Sequence, residues 1–140
     1  MDINNKDLDV IDLHCLLYIS RMKKEYTKED LKDMLNLFRE NNKKYNISGL
    51  MLYYDENIIQ YIEGDKKDIY ILYNNIMNDI KHYNITKVID ESITRRNFVD
   101  WDMGFKEIDK NQFLDFSLDK LKLNNKRINI FFEQFLITFC

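Results

Sequence analysis

The chain has no proline, 3 glycines and 2 cysteines in 140 residues. With Pro and Gly this scarce no stretch has a linker's composition, and the length fits one domain with a real core. Cys15 sits in an apolar run and Cys140 is the last residue, so neither a disulfide framework nor metal-ligand spacing is present. No apolar run approaches the ~20 residues of a membrane-spanning helix. The start, Met1-Asp2-Ile3-Asn4-Asn5-Lys6-Asp7, is too polar for a signal peptide. A one-signed charge is missing too: the formal net charge is −3, and Lys and Arg are scattered among acids. That excludes the basic stripe of a nucleic-acid groove. The expectation is a cytoplasmic protein with neither membrane nor nucleic acid among its partners.

Ile, Asn, Lys and Tyr are used so heavily that a single Asn or Tyr carries little weight, and position must carry the argument. The most informative stretch runs from Asn46 to Gly64. It reads as two apolar strands joined by a polar turn, Asp55-Glu56-Asn57, the pattern of a β-hairpin. Gln60 interrupts the second strand, Ile58-Ile59-Gln60-Tyr61-Ile62, where every neighbour favours burial. An unpaired carboxamide there would cost on the order of 1–3 kcal/mol, so something must meet it. A satisfied core glutamine is the plain reading for an arbitrary protein.

The remaining elements follow from periodicity. Residues 1–12 read as a polar leader. Leu13–Ile19 is apolar almost throughout, as in a central strand, with His14, Leu16 and Tyr18 on one face and Cys15, Leu17 and Ile19 on the other. Thr27 is placed to cap a helix whose apolar stripe is Leu31, Met34, Leu35 and Phe38, and which ends inward in the amides Asn41 and Asn42. After the hairpin, Asp65 opens a second helix with the stripe Ile69, Leu72, Tyr73, Ile76 and Ile80, closed by Lys81-His82. Residues 86–94 form a weaker strand, 95–100 a loop, and 101–108 a short fifth strand. The order strand–helix–strand–strand–helix–strand predicts a ferredoxin-like α+β domain over 13–108, both helices on one sheet face and the fifth strand added. Its first and third strands are central neighbours, which brings Tyr18 close to Gln60. Two amphipathic segments within 109–140 are expected to form helices that cap the bare face or meet a second subunit.

Tyr18, Gln60, Asn41 and Asn42 thus converge, with neither a nucleophile–base pair nor a metal cluster among them. Neutral hydrogen-bonding side chains in an apolar slot suit a flat heteroaromatic ligand such as a flavin. The quoted motifs carry a resemblance: Tyr18 within Leu16-Leu17-Tyr18-Ile19-Ser20, Asn42 ahead of Ile47-Ser48-Gly49-Leu50, Gln60 within Ile58-Ile59-Gln60-Tyr61-Ile62-Glu63-Gly64, and Arg95-Arg96-Asn97-Phe98-Val99-Asp100-Trp101-Asp102-Met103-Gly104-Phe105. Together, in this order and spacing, they resemble BLUF domains, the blue-light sensors using flavin.

The resemblance implies a flavin cofactor, FAD before FMN, and photochemistry without substrate turnover. It implies that Tyr18 donates an electron and a proton to the excited ring, and that Gln60 bridges Tyr18 and the flavin and rearranges. Asn42 and Asn41 would hold the ring's imide edge, Asn75 and Asp79 the ribityl chain, and Lys81 and His82 the tail. Trp101 and Met103 would relay the change. The output would pass to a separate downstream protein, or through the C-terminal helices to an oligomer. Cys15 and Asn75 depart from the residues common at these positions, which bears on the cofactor tail and not on the Tyr–Gln pair. Two other classes stay open: a flavin-loaded interaction module without a light switch, and an acylphosphatase-like hydrolase, for which no phosphate-cradling loop follows the first strand.

Overall fold

The computed structural model describes residues 12–99 and 102–114. The chain divides into two compact units, one ending at Glu107 and one starting at Ile108. In the first, the elements are β1 (Leu13–Met22), α1 (Lys28–Lys44), β2 (Ser48–Tyr54), β3 (Asn57–Asp65), α2 (Lys66–Met77), β4 (His82–Ser92) and β5 (Gly104–Glu107). They form one sheet in the order β4-β1-β3-β2-β5. This is the expected ferredoxin-like arrangement, with β5 added in parallel beside β2. In the second unit α3 (Lys110–Leu114) opens on a reciprocal cap: the Gln112 N–H donates to Asp109 Oδ1 at 2.8 Å and the Asp109 N–H to Gln112 Oε1 at 3.0 Å. The expected leader up to residue 11, Trp101, and the tail segments from residue 115 on lie outside the described residues.

Strand parity sorts the core into two faces. Leu16, Tyr18 and Met22 of β1, Met51 of β2, and Ile58 and Ile62 of β3 join one apolar cluster with Leu31, Met34 and Leu35 of α1 and Ile69, Tyr73 and Ile76 of α2. Both helices therefore pack on the same side of the sheet. Cys15, Leu17, Leu50, Leu52, Ile59 and Tyr61 point the other way and are buried as well. Burial pushes the Cys15 thiol up to about 11, against a hydrogen bond from Tyr61, so this cysteine is a neutral core side chain.

The local signals act as expected at the start of α1. The Asp30 N–H donates to Thr27 Oγ1 at 3.1 Å and the Thr27 N–H to Asp30 Oδ2 at 2.9 Å, a complete capping box. The hairpin turn is tighter than the sequence suggests. Asp55 and Glu56 both take positive φ, 44° and 69°, as a two-residue type I′ turn requires, and Asn57 already belongs to β3. Asn57 Nδ2 fastens the turn by donating to the Tyr54 and Asp55 carbonyls at 3.0 and 3.1 Å.

Other boundaries move too, the strand ends for a non-local reason and the end of α2 for a local one. β1 runs on past Ile19 to Met22, and β4 starts at His82, because Arg21 and Met22 pair with Tyr83 and His82. α2 stops at Met77, so the stripe does not reach Ile80, which is 78% exposed. Turn chemistry ends it: the Asn78 N–H and Nδ2 both bond the Asn74 carbonyl, and Asp79 Oδ1 accepts from the Lys81 N–H at 2.9 Å. Lys81 and His82 therefore lie beyond the helix, and His82 opens β4.

Beside its ladder with β1, β4 is fastened to β1 and α2 by one carboxylate. Asp90 accepts from His14 Nε2 at 2.5 Å, Tyr70 OH at 2.9 Å and Lys87 Nζ at 2.8 Å. Burial would raise the Asp90 carboxyl, but these donors outweigh it and hold it at about 2. Because that lies below the unfolded value of ~3.9, the stabilisation is present above about pH 4 and is lost as pH falls toward 2. Thermal denaturation should find Asp90→Asn less stable than the wild type at pH 7, with the gap closing by pH 2. Elsewhere, a Cβ on Gly49 would lie 2.0 Å from the Tyr61 carbonyl oxygen on β3. Backbone cannot swing aside as a side chain can, so Gly49→Ala should cost about 1–3 kcal/mol, read as a lower urea midpoint at unchanged slope.

Candidate functional site

Antiparallel register sets Tyr18 on β1 directly opposite Gln60 on β3. Both face the helices, at 1% and 0% exposure. The Tyr18 hydroxyl donates to Gln60 Oε1, which orients the amide and turns its NH2 group to Met103 Sδ at 3.6 Å. Burial, with lesser contributions from Tyr73 and Asp79, pushes the Tyr18 phenol far above the ordinary tyrosine range. The proton therefore stays on the phenol, and the direction of the hydrogen bond is fixed.

The segment that carries Met103 is held from α1. Arg39 Nε donates to the Met103 carbonyl at 3.0 Å, and Asn42 Nδ2 to the Asp102 carbonyl at 2.6 Å. Asn42 is fully buried, and its Oδ1 meets no donor among the described residues. The expected amide pair is thus a single inward amide, because Asn41 is exposed. Asn42 continues the Leu31–Leu35–Phe38 stripe, and Asn41 lies one residue, or about 100°, off it.

His82 does not present a free base. Nε2 donates to the Ile76 carbonyl at 3.0 Å, which leaves Nδ1 to accept from Ser20 Oγ at 3.0 Å. Its ring lies 6.4 Å from that of Tyr18, and the Tyr18 ring lies 5.8 Å from that of Tyr73. Lys81 lines a cleft of about 400 Å³ with Lys23, Tyr26, Met34, Ile80 and the acids Glu25, Asp30 and Asp33, so its two lysines face three carboxylates. Asp79 is half-buried and occupied by the Lys81 N–H. Asn75 is exposed, since the buried stripe of α2 runs through Ile69, Tyr73 and Ile76. The inward position expected for it is thereby corrected.

On the opposite face the sequence reading passed over Glu63. It is fully buried and accepts from Ser48 Oγ, Tyr61 OH and the Asn97 and Phe98 N–H groups at 2.7–3.0 Å. Arg96 sits beside it, donating to Ser48 Oγ at 2.9 Å, the Glu63 carbonyl at 3.2 Å and the Asn46 carbonyl at 2.6 Å. Burial lowers the guanidinium's pKa, and Glu63 opposes that shift. A signal was available: an acid at an in-phase buried position of a strand must find donors.

A family described as BLUF, sensors of blue-light using FAD, matches residues 13–104. The chain belongs to the BLUF family. Among solved BLUF structures, BlsA in its photo-activated state is 28% identical with a TM-score of 0.76, and the match covers 89% of this chain and 95% of that one. BlrB in its dark state is 26% identical with a TM-score of 0.76, covering 91% and 97%. A bacterial light-regulated adenylyl cyclase is 26% identical with a TM-score of 0.67, covering 90% of this chain but 34% of that one. The blue light- and temperature-regulated antirepressor BluF of Escherichia coli K12 is 23% identical over 86 residues, 61% of this chain and 21% of that protein. The chain thus spans about a fifth of the length of that curated relative. BLUF membership sets aside the hydrolase alternative and makes flavin the group to test against the site.

The donor set fits it. The buried Asn42 Oδ1 is an acceptor in want of a donor, and the imide edge of a flavin ring carries an N–H. Leaving such an acceptor unmet costs about 1–3 kcal/mol. No helix among the described residues is long and apolar enough to cross a membrane.

Burial lowers the pKa of His82, against opposing effects of Asp79 and the Ile76 carbonyl. The unfolded chain therefore binds a proton near pH 6.5 that the folded chain refuses, and stability falls as pH drops below that value. The stability-versus-pH slope between pH 7 and 5, followed by thermal melts, should be shallower in His82→Gln than in the wild type.

Proposed function

We propose that this BLUF chain is a short photoreceptor that binds flavin non-covalently, FAD before FMN, and signals through Tyr18 and Gln60 without turning over a substrate. The observation that carries the reading is the buried line of contacts from the Tyr18 hydroxyl through the Gln60 amide to Met103. FAD is preferred because the family description names it.

When bound and excited by blue light, the flavin supplies an oxidant. Tyr18 would give an electron and its phenolic proton to that oxidant and take both back once the amide has moved. While the proton is away, Tyr18 cannot donate to Gln60 Oε1. The Gln60 amide is then free to rotate or tautomerise, which exchanges donor for acceptor at one place. In the dark arrangement Nε2 faces the thioether of Met103. After the exchange an oxygen faces that sulfur, two acceptors against each other, and Met103 loses its partner. Inside a low-dielectric core such a change is large enough to shift a packing equilibrium. Met103 immediately precedes β5, so the shift reaches that strand first. Asn42 Oδ1 holds the imide edge of the ring, and the 109–140 tail hands the change to a separate protein or to a second copy of the chain.

Absorption spectra before and after blue illumination test this. The flavin-loaded wild type should show a reversible red shift. Tyr18→Phe and Gln60→Ala should each retain flavin and lose the shift. Normal shift and recovery in either variant would falsify the assignment.

A further inference from the structure

We propose that Glu63 is a positioning residue for the light response: its carboxylate is the back-face anchor of the segment that carries Met103. The inference rests on the reading of Gln60 and Met103 as the switch and its neighbour. Gln60 and Glu63 lie on the same strand, β3, on opposite faces of the sheet. Gln60 holds the Met103 side chain on the helix face. Glu63 holds the Asn97 and Phe98 N–H groups on the other face, where the Phe98 ring packs on Tyr61 with centroids 5.5 Å apart. Phe98 and Met103, five residues apart in the chain, are therefore tied to the same strand from opposite faces of the sheet.

The donors are divided evenly. Glu63 Oε1 accepts from the Asn97 N–H at 2.8 Å and Tyr61 OH at 3.0 Å, and Oε2 from the Phe98 N–H at 2.7 Å and Ser48 Oγ at 3.0 Å. Asn97 Nδ2 adds a second link by donating to Tyr61 OH at 3.0 Å. A hydroxyl can turn to suit a changed partner, but a backbone N–H cannot. Only a group with two acceptor oxygens serves both amides, so the carboxylate is required and the isosteric carboxamide fails. Glu63→Gln sets its NH2 against the Asn97 or the Phe98 N–H and frees that end of the segment. With the anchor gone, the dark placement of Met103 against Gln60 is less favoured, and the return to the dark state loses driving force.

The test uses the full chain loaded with flavin. Wild type, Glu63→Gln and Ser48→Ala are compared by flavin content, light-minus-dark spectra, dark-recovery rate and amide hydrogen exchange. In Glu63→Gln the flavin and the red shift should persist, recovery should slow at least threefold, and exchange over residues 97–107 should rise about tenfold with β1 and β4 unchanged. Ser48→Ala removes one hydroxyl donor and should move both readouts the same way by a smaller factor. A purely structural role would speed exchange across the whole sheet and leave recovery within twofold of wild type, and that outcome overturns the inference. So does unchanged exchange over 97–107. If Glu63→Gln fails to fold, Ser48→Ala decides alone. A wild type without any red shift sinks the proposed photochemistry, while exchange in the two variants still decides whether Glu63 anchors the segment.

Discussion

A tyrosine hydroxyl and a glutamine amide face each other across two central strands with almost no access to water. The apolar cluster of sheet and helices packs around that pair and keeps it dry. The phenol is held neutral by burial, so it can only donate, and the amide can meet it only with oxygen. This leaves the NH2 group to find a partner, and the nearest is a thioether, a weak acceptor. One strong bond and one weak one on the same amide is an arrangement that a modest change at the tyrosine can reverse.

The sheet order is what makes the arrangement possible. Placing β1 and β3 at the centre buries both faces of both strands, and the alternation along β3 sends Gln60 toward the helices and Glu63 away from them. Each side chain is polar in apolar surroundings, and each meets the debt differently. Gln60 has a bond strong on one side and soft on the other. Glu63 is saturated, with one backbone amide and one hydroxyl on each oxygen. One strand thus carries a weakly held amide on one face and a fully satisfied carboxylate on the other.

The relatives place this unit in context. The match covers 89% of the chain against BlsA and 91% against BlrB, and both of those are covered almost end to end. Against a light-regulated adenylyl cyclase the same fold covers 34% of the longer chain. The conserved architecture is therefore the sensor, and its surroundings differ between these proteins. The edge position of β5, parallel to β2 and directly after Met103, puts the strand next to the switch at the border of the sheet rather than in its middle.

The amino-acid sequence determined the features that depend on near neighbours and on fixed spacing. Alternation in β1 and β3, the Thr27 capping box, the hairpin, and the motifs around Tyr18 and Gln60 all rest on interactions within a few residues, or on a family pattern whose order is preserved. The Tyr18–Gln60 contact was legible because the fold class alone makes β1 and β3 neighbours. Tertiary structure decided what depends on partners distant in the chain. It fastened the Asn42 amide to the Asp102 carbonyl and occupied His82 Nδ1 with Ser20. It alone supplied the two backbone donors of Glu63, which come from a loop more than 30 residues further along the chain. A buried charge announces from sequence that it needs partners, but only the folded chain names them.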